Sequence, residues 1–500
     1  MDFLCVDLGT STIKTGVVSD TGELLALVSC ESPIIIDGDQ VELEADACWD
    51  VVVSSIREVL QKKEVSPSNV GGLSITCQGQ TFVPLDEHLR PMRRAILWLD
   101  QRAKAERDEI LKQFDPSVLY EHTGLPHLTP GVMLCVMRWI QKNEPQIYKT
   151  ACIWVHIADY ILYRLTGQII GERSIYYCSG LYDIEVDGWW EEMLAFIDLS
   201  ASKLPELYHS AVSFSTLSPE AAIATGLTQR TKVVSGTLDV IASILGAGVV
   251  SDDKVLLDLG TTMKTMMTIF ERESLLAEHL VWIFGHVIKG ANVGVLWRET
   301  AGFSLRWFRN NFCQEETRAA LKEGLDPYDR ILSKVADVLP GADGLLFLPH
   351  LLGTRVPASY PNAKGVFWGI TPNHTKAHFL RAILEGNAYA LRENLEIMKS
   401  LGFNCNEIIA TGGGTRSQLW NQINADVTGL PLNMLKSSES SLIGAGIVAA
   451  CGTGCFSSID EACSTMVKRS HVIVPNPDLA SVYEEGYQFS KKVFHANANL

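Results

Sequence analysis

The 500-residue chain lacks most of what membranes, secretion and nucleic acids require. It has no unbroken apolar run of membrane-span length, so no transmembrane helix is expected. Its first residues, MDFLCVDLG, carry no basic region and pass straight into strand-like sequence, so no signal peptide is expected. Positive charge is in deficit, with 42 Lys and Arg against 58 Asp and Glu and a net charge of -16. That balance argues against a general nucleic-acid surface and against anionic membranes. It does not exclude a nucleotide, because phosphates are held by local sites. The 11 Trp and 17 Phe residues have no basic interleaving, which disfavours stacking on nucleic acid. The 12 cysteines include no C-x-x-C pair, and Cys451 and Cys455, the nearest two, have a spacing weak for zinc. A reduced, cytoplasmic protein with free thiols is expected. His374 and His378 could share a helix face, but no third metal ligand lies nearby in sequence. Neither a P-loop nor a G-x-G-x-x-G dinucleotide turn occurs.

What is there is ordinary globular material, 47% hydrophobic and 20% charged. At roughly 100–200 residues per domain, the length suggests two to four domains. Short apolar strands alternate with amphipathic helices. FLCVDL, IKTGVV and ELLALVS read as three successive strands. Residues 45–61 read as a helix with Trp49, Val52, Val53, Ile56 and Leu60 on one stripe, and GGLSITC reads as a buried strand. The pattern is mixed α/β. In the second half, KVLLDLG and TMMTIF read as strands, CNEIIATGGG as a strand ending in a glycine turn, and RSQLWNQINADVTG as a helix closed by Gly429. No linker tract marks a boundary; AGVVSDD, at residues 247–253, is the natural one, giving domains of residues 1–249 and 250–500.

One turn occurs twice. Residues 6–18 read VDLGTSTIKTGVV and residues 257–269 read LDLGTTMKTMMTI. Asp7, Gly9, Thr10, Ser11 and Lys14 match Asp258, Gly260, Thr261, Thr262 and Lys264. Glycine lets backbone N–H groups approach an anion, and the hydroxyls add donors. A strand-end carboxylate such as Asp7 can face a magnesium ion through its water shell. Such clusters also favour a plain hairpin. Two copies in an α/β chain favour a phosphate clamp, with two similar domains each giving one turn to the same polyphosphate.

The twin turns resemble those of the actin–hexokinase–chaperone superfamily of ATP-binding folds. The stretch GVFWGITPNHTKAHFLRAILEG at residues 365–386 narrows the resemblance to the FGGY carbohydrate kinases, as do ADYILYRLTG, ATGGGTRSQLWNQINADVTGLPL and SLIGAGIVAA. One departure is clear: Val136 stands where the family's first signature usually has Lys. The resemblance implies two ribonuclease-H-like domains with an interdomain cleft, a kinase using ATP and Mg2+, a small-molecule sugar as substrate and, at the family level, a homodimer.

A sugar kinase needs a carboxylate to deprotonate the attacking hydroxyl. Asp239, in SGTLDVIASILGAG, follows a glycine turn and precedes an apolar helix, with Gly246 and Gly248 at the family's spacing. A helix N-terminus alone also favours Asp; with the resemblance, Asp239 is the expected base. Gly412, Gly413, Ser417 and Asn421 are carried over as the adenosine site. TCQGQTF and WLDQR are the sugar candidates: Gln78, Gly79, Gln80, Trp98, Asp100 and Arg102, together with Asp239. In xylulose kinases a Met-His pair stands where this chain has Gly79 and Gln80. The Arg-Glu pair of glycerol kinases is absent, which disfavours glycerol. A ketopentose such as xylulose, or a related ketose or polyol, is the expected substrate. A rival from another class is a retired sugar sensor or scaffold on the same fold; another is a chaperone-like ATPase, which would lack a sugar pocket.

Overall fold

The computed structural model describes residues 1–271, 279–356 and 359–497. The chain forms two compact units. The first comprises Met1–Val250, Thr268–Gly294 and Glu439–Lys468; the second comprises Ser251–Met267, Val295–Ser438 and Arg469–Leu500. The first segment ends at Val250, one residue beyond the expected border at 249/250. A single cut, however, misses the two later segments that return to the first unit.

In the first unit the three predicted strands form β1 (Asp2–Leu8), β2 (Thr12–Ser19) and β3 (Leu24–Glu31), paired antiparallel. β4 (Val70–Cys77) joins the other side of β1 in parallel. The edge strand β5 (Ser213–Thr216) lies antiparallel to β6 (Lys232–Leu238), and β6 pairs in parallel with β4. The order is β5-β6-β4-β1-β2-β3. β1 and β4 are buried almost throughout, as central parallel strands covered on both faces are. The helix Ala45–Val59 packs on β2 and β3 through Cys48, Trp49, Val52, Ile56 and Val59. Leu60, expected on that stripe, is the C-cap, and Val59 takes its place.

The second unit repeats the plan. β7 (Lys254–Leu259), β8 (Met263–Ile269), β9 (Asn292–Arg298), β10 (Glu407–Thr411) and β11 (Leu432–Leu435) lie in the order β9-β8-β7-β10-β11, with β12 (Arg469–Ile473) antiparallel at the edge. Both units share the order third, second, first, fourth, with the fourth strand parallel to the first; beyond it lie the sixth and then the fifth strand in the first unit, and the fifth and then the sixth in the second. This is the ribonuclease-H-like arrangement that the twin turns imply.

Helix Ser440–Thr453 belongs to the first unit because it packs closely on helix Asp239–Gly246. A Cβ on Gly444 would lie 1.8 Å from the Ala242 carbonyl oxygen, and one on Gly246 1.9 Å from that of Ser440. In the second unit His378 closes a capping box on helix Lys376–Ser400, its Nδ1 accepting from the Thr375 N–H at 3.1 Å. Its Nε2 faces Asp343 at 3.0 Å, so a cap and a carboxylate occupy both ring nitrogens. Among the described residues no helix is long and apolar enough to cross a membrane.

Candidate active site

Three sequence-predicted residues stand at the C-terminal ends of three adjacent parallel strands: Asp7 on β1, Gln78 just past β4 and Asp239 just past β6. Ligands of open α/β sheets bind at this edge. β6 reaches it through a bulge. Its register with β4 shifts between Val234 and Thr237, and Gly236 has φ 83°. A Cβ there would lie 2.1 Å from the Ile75 oxygen, so glycine is required. Thr237 and Leu238 then pair again with Thr76 and Cys77, and the helix begins at Asp239. The bulge aims Asp239 at the strand ends.

The two copied turns match in register, Asp7 facing Lys14 and Asp258 facing Lys264 across their hairpins. In each, two successive backbone N–H groups have no partner among the described residues: Thr10 and Ser11 in the first, Thr261 and Thr262 in the second. Such pairs suit an anion. The ion pairing differs. Lys264 pairs with its own Asp258 at 2.8 Å. Lys14 instead pairs with Glu439 at 2.6 Å, while Asp7 accepts from the Ser441 hydroxyl at 2.7 Å. Burial pushes the Asp7 carboxyl up to about 6; the Ser441 bond opposes this, and the charge of Asp239 adds to it. Asp7 and Asp239 thus act on each other electrostatically.

On the sugar side, Gln78 Oε1 accepts from the Trp98 indole N–H at 3.0 Å and from the Thr10 hydroxyl. The Trp98 N–H also reaches Thr10 Oγ1 at 3.0 Å. With its oxygen occupied, Gln78 keeps its NH2 as the group to offer a ligand. Gly79 is explained by its neighbours: a Cβ would lie 3.0 Å from Cys178 Sγ and 3.2 Å from Leu238 Cδ1. Gln80 sits at φ 63°, a conformation L-residues rarely adopt, and its Oε1 is buried without a hydrogen-bond partner among the described residues. Both features are compatible with a ligand at Gln80. Asp100 and Arg102 are placed differently. Asp100 is fully buried and accepts from the Val41 N–H, the Arg102 N–H and the Arg102 guanidinium. Arg102 also pairs with Glu42 at 2.6 Å and lies over the Trp139 ring. This pair braces the loop that presents Trp98, with Arg102 Nε and Nη2 taken by Asp100 and Glu42.

In the second unit, Gly412, with φ 93°, touches the second turn: a Cβ would lie 2.8 Å from Asp258 Oδ1. Gly413 has open space around it. Ser417 caps helix Gln418–Thr428 by accepting from the Trp420 N–H at 3.2 Å. Asn421 is buried, donating to the Thr415 carbonyl at 2.6 Å. Gly413 is therefore the open face, and Ser417 and Asn421 hold the turn behind it. The carbonyls of Gly260 and Thr261 accept from the N–H groups of Ala301, Gly302 and Phe303, anchoring the second turn to the start of helix Gly302–Phe312.

Family models match this arrangement over most of the chain: residues 3–246 match the N-terminal domain, and residues 259–453 the C-terminal domain, of the FGGY family of carbohydrate kinases. The chain belongs to that family. The xylulose kinase of Bacillus subtilis (strain 168) is 27% identical over 496 residues, covering 99% of this chain and 97% of that protein. The gluconokinase of Bacillus licheniformis is 29% identical over 490 residues, covering 96% and 93%. Among solved structures, the xylulose kinase from Rhodospirillum rubrum superposes with a TM-score of 0.89 at 25% identity, over 99% of both chains. The protein is an ATP-dependent sugar kinase with the two-domain actin-like ATPase fold.

Within this FGGY kinase, several contacts carried no sequence signal of their own. Glu439 and Ser441 reach Lys14 and Asp7 from more than 400 residues away. Cys178, which abuts Gly79, lies in no motif. Val136, in the family's lysine position, is fully buried in helix Met133–Asn143, where a charged side chain would have no partner.

Proposed function

We propose that this kinase transfers the γ-phosphoryl group of ATP to a hydroxyl of a neutral sugar, a ketopentose such as xylulose, with Asp239 as general base. The observation that carries this is the convergence of Asp239, Asp7 and Gln78 at one sheet edge, beside a turn with two unpaired N–H groups. Asp239 accepts the proton of the attacking hydroxyl as the new O–P bond forms; the bond from phosphorus to the bridging oxygen breaks, and ADP leaves. Thr10, Ser11 and Lys14 receive the transferred phosphoryl group. In the second unit, taken by itself, Gly260, Thr261 and Thr262 suit phosphate, and Gly412 and Gly413 suit adenosine.

Asp7 suits a hydrated magnesium ion, since its charge is desolvated and faces that of Asp239. The ion would neutralise phosphate charge. Among the described residues no three His, Cys, Asp or Glu side chains gather into a metal cage. Relatives named for xylulose and for gluconate leave the substrate class to the pocket. Gln78, Gln80 and Trp98 are neutral, and the one cation of the WLDQR motif, Arg102, is consumed by Asp100 and Glu42. A sugar acid would need a free cation; a ketose needs only the neutral donors and acceptors present.

The test is an ADP-release screen with ATP-Mg and a panel of ketoses, aldoses, polyols and sugar acids, with Asp239→Asn alongside. Turnover on a neutral ketose that falls about 100- to 10,000-fold in Asp239→Asn is expected. Asp239→Asn running at the wild-type rate would remove the base assignment. Tight sugar binding with no product under any condition would favour a sensor.

A further inference from the structure

Behind Asp239 lies a buried polar cluster that no step of the reaction uses. Leu238, the N-cap of the Asp239 helix, donates its N–H to Ser174 Oγ at 2.9 Å. Ser174 in turn donates its hydroxyl to Glu172 Oε2. The other Glu172 oxygen accepts from the Ser210 hydroxyl at 2.6 Å. Both hydroxyls approach Thr237 Oγ1, at 3.2 and 3.3 Å. The Glu172 N–H donates to Asp159 Oδ1 at 3.1 Å, and Asp159 is fixed by the Tyr176 hydroxyl at 2.7 Å and the His156 N–H.

Glu172 and Asp159 are fully buried, and among the described residues no Lys or Arg nitrogen comes within ion-pairing distance of either. Burying carboxylates without a cation is costly. Glu172 Oε2 accepts from the Ile175 N–H at 3.2 Å as well as from the Ser174 hydroxyl, so the oxygen is held as an acceptor facing Ser174. With its proton committed to Glu172, the Ser174 oxygen must turn a lone pair to the Leu238 N–H. The bulge at Gly236 fixes the backbone on one side of Asp239 and this hydrogen bond fixes it immediately before.

We propose that Ser174, oriented by Glu172, is a positioning residue for Asp239, locking the peptide that sets where the base stands. The inference rests on Asp239 being the base. A misplacement of about 1 Å in such a group costs on the order of 100-fold in rate.

The experiment is a double-mutant cycle on the full chain, with kcat, both KM values and thermal unfolding measured for each variant. Ser174→Ala should lower kcat about ten- to 100-fold and leave the KM for ATP and for sugar within about twofold, because no substrate contact is removed. In an Asp239→Asn background Ser174→Ala should change nothing further, since the residue acts only through Asp239. Equal losses in both backgrounds, or a loss confined to melting temperature or KM, would overturn the proposal. Ser174→Cys keeps the shape while weakening both hydrogen bonds of the hydroxyl, and is judged by the same criteria if Ser174→Ala does not fold. Wild-type kcat in Ser174→Ala beside an inactive Asp239→Asn sinks the positioning role and leaves the base standing. Wild-type kcat in Asp239→Asn sinks the base itself.

Discussion

Asp7→Asn should make this kinase more stable and less active at once. In the folded chain the Asp7 carboxyl sits at about 6 against an ordinary 3.8, raised first by burial and then by the charge of Asp239. The interval corresponds to about 3 kcal/mol against the ionised form. Asp7 retains part of its surface to solvent, so about 1–2 kcal/mol is the realistic share. The sign follows from linkage. Above pH 6 both folded and unfolded chains carry an ionised Asp7, and only the folded one bears the cost. As pH falls through 6 the folded chain takes up a proton first, and the cost disappears toward pH 4. Asn removes the charge yet keeps an oxygen to accept from Ser441. Thermal unfolding without nucleotide or divalent ion, at pH 8 and pH 5, should therefore show Asp7→Asn melting about 2–4 °C above wild type at pH 8. The gain should be smaller at pH 5, and sugar phosphorylation should be largely lost at both. An equal or lower melting temperature at pH 8, or the same gain at both pH values, would refute the account.

Two further predictions test other parts of the site. Trp98→Phe keeps the ring but removes the N–H shared by Thr10 and Gln78; the KM for sugar should rise about five- to tenfold, the worth of one hydrogen bond, with the KM for ATP unchanged in steady-state assays. Gly444→Ala forces a methyl group to 1.8 Å from the Ala242 oxygen in the helix that carries Asp239; a loss of about 3 kcal/mol is expected, and a wild-type melting temperature would contradict the packing described.

Periodicity and local chemistry made much of this molecule legible in its sequence. The strands around both turns and the helix Gln418–Thr428 with its left-handed Gly429 cap stand where apolar alternation and turn residues put them. The glycine turn before Asp239 and the apolar helix after it are legible in the sequence, while its expected role as base rests on the family resemblance. What was not legible depends on long-range return of the chain. Nothing in SLIGAGIVAA says that its helix rejoins the first unit or that Glu439 meets Lys14. WLDQR looked like one sugar-binding motif, but only Trp98 is left partly open, because Glu42, unremarkable in sequence, claims Arg102. GERS, which holds Glu172 and Ser174, has no motif or period at all; its meaning lies in the buried hydroxyls it meets.

The twin turns show how the same few residues are set to different tasks. Both keep an Asp at a strand end, a Lys opposite and two unpaired N–H groups for an anion. The second turn neutralises its own Asp258 with Lys264, and its carbonyls are pinned by the start of a helix. Under the proposed function it suits phosphates that do not react. The first turn gives Lys14 to Glu439 and leaves Asp7 a desolvated charge in the field of Asp239. That arrangement costs stability, and under the proposed function a cation and a phosphoryl group would relieve the cost. The difference arises from one residue, Glu439, brought in by a returning helix. Glu439→Gln should release Lys14 toward Asp7, making the first turn resemble the second. The Asp7 carboxyl should then fall toward its ordinary range, and the extra stability that Asp7→Asn confers at pH 8 should shrink when measured in the Glu439→Gln background. An undiminished gain there would mean that Lys14 does not set the state of Asp7.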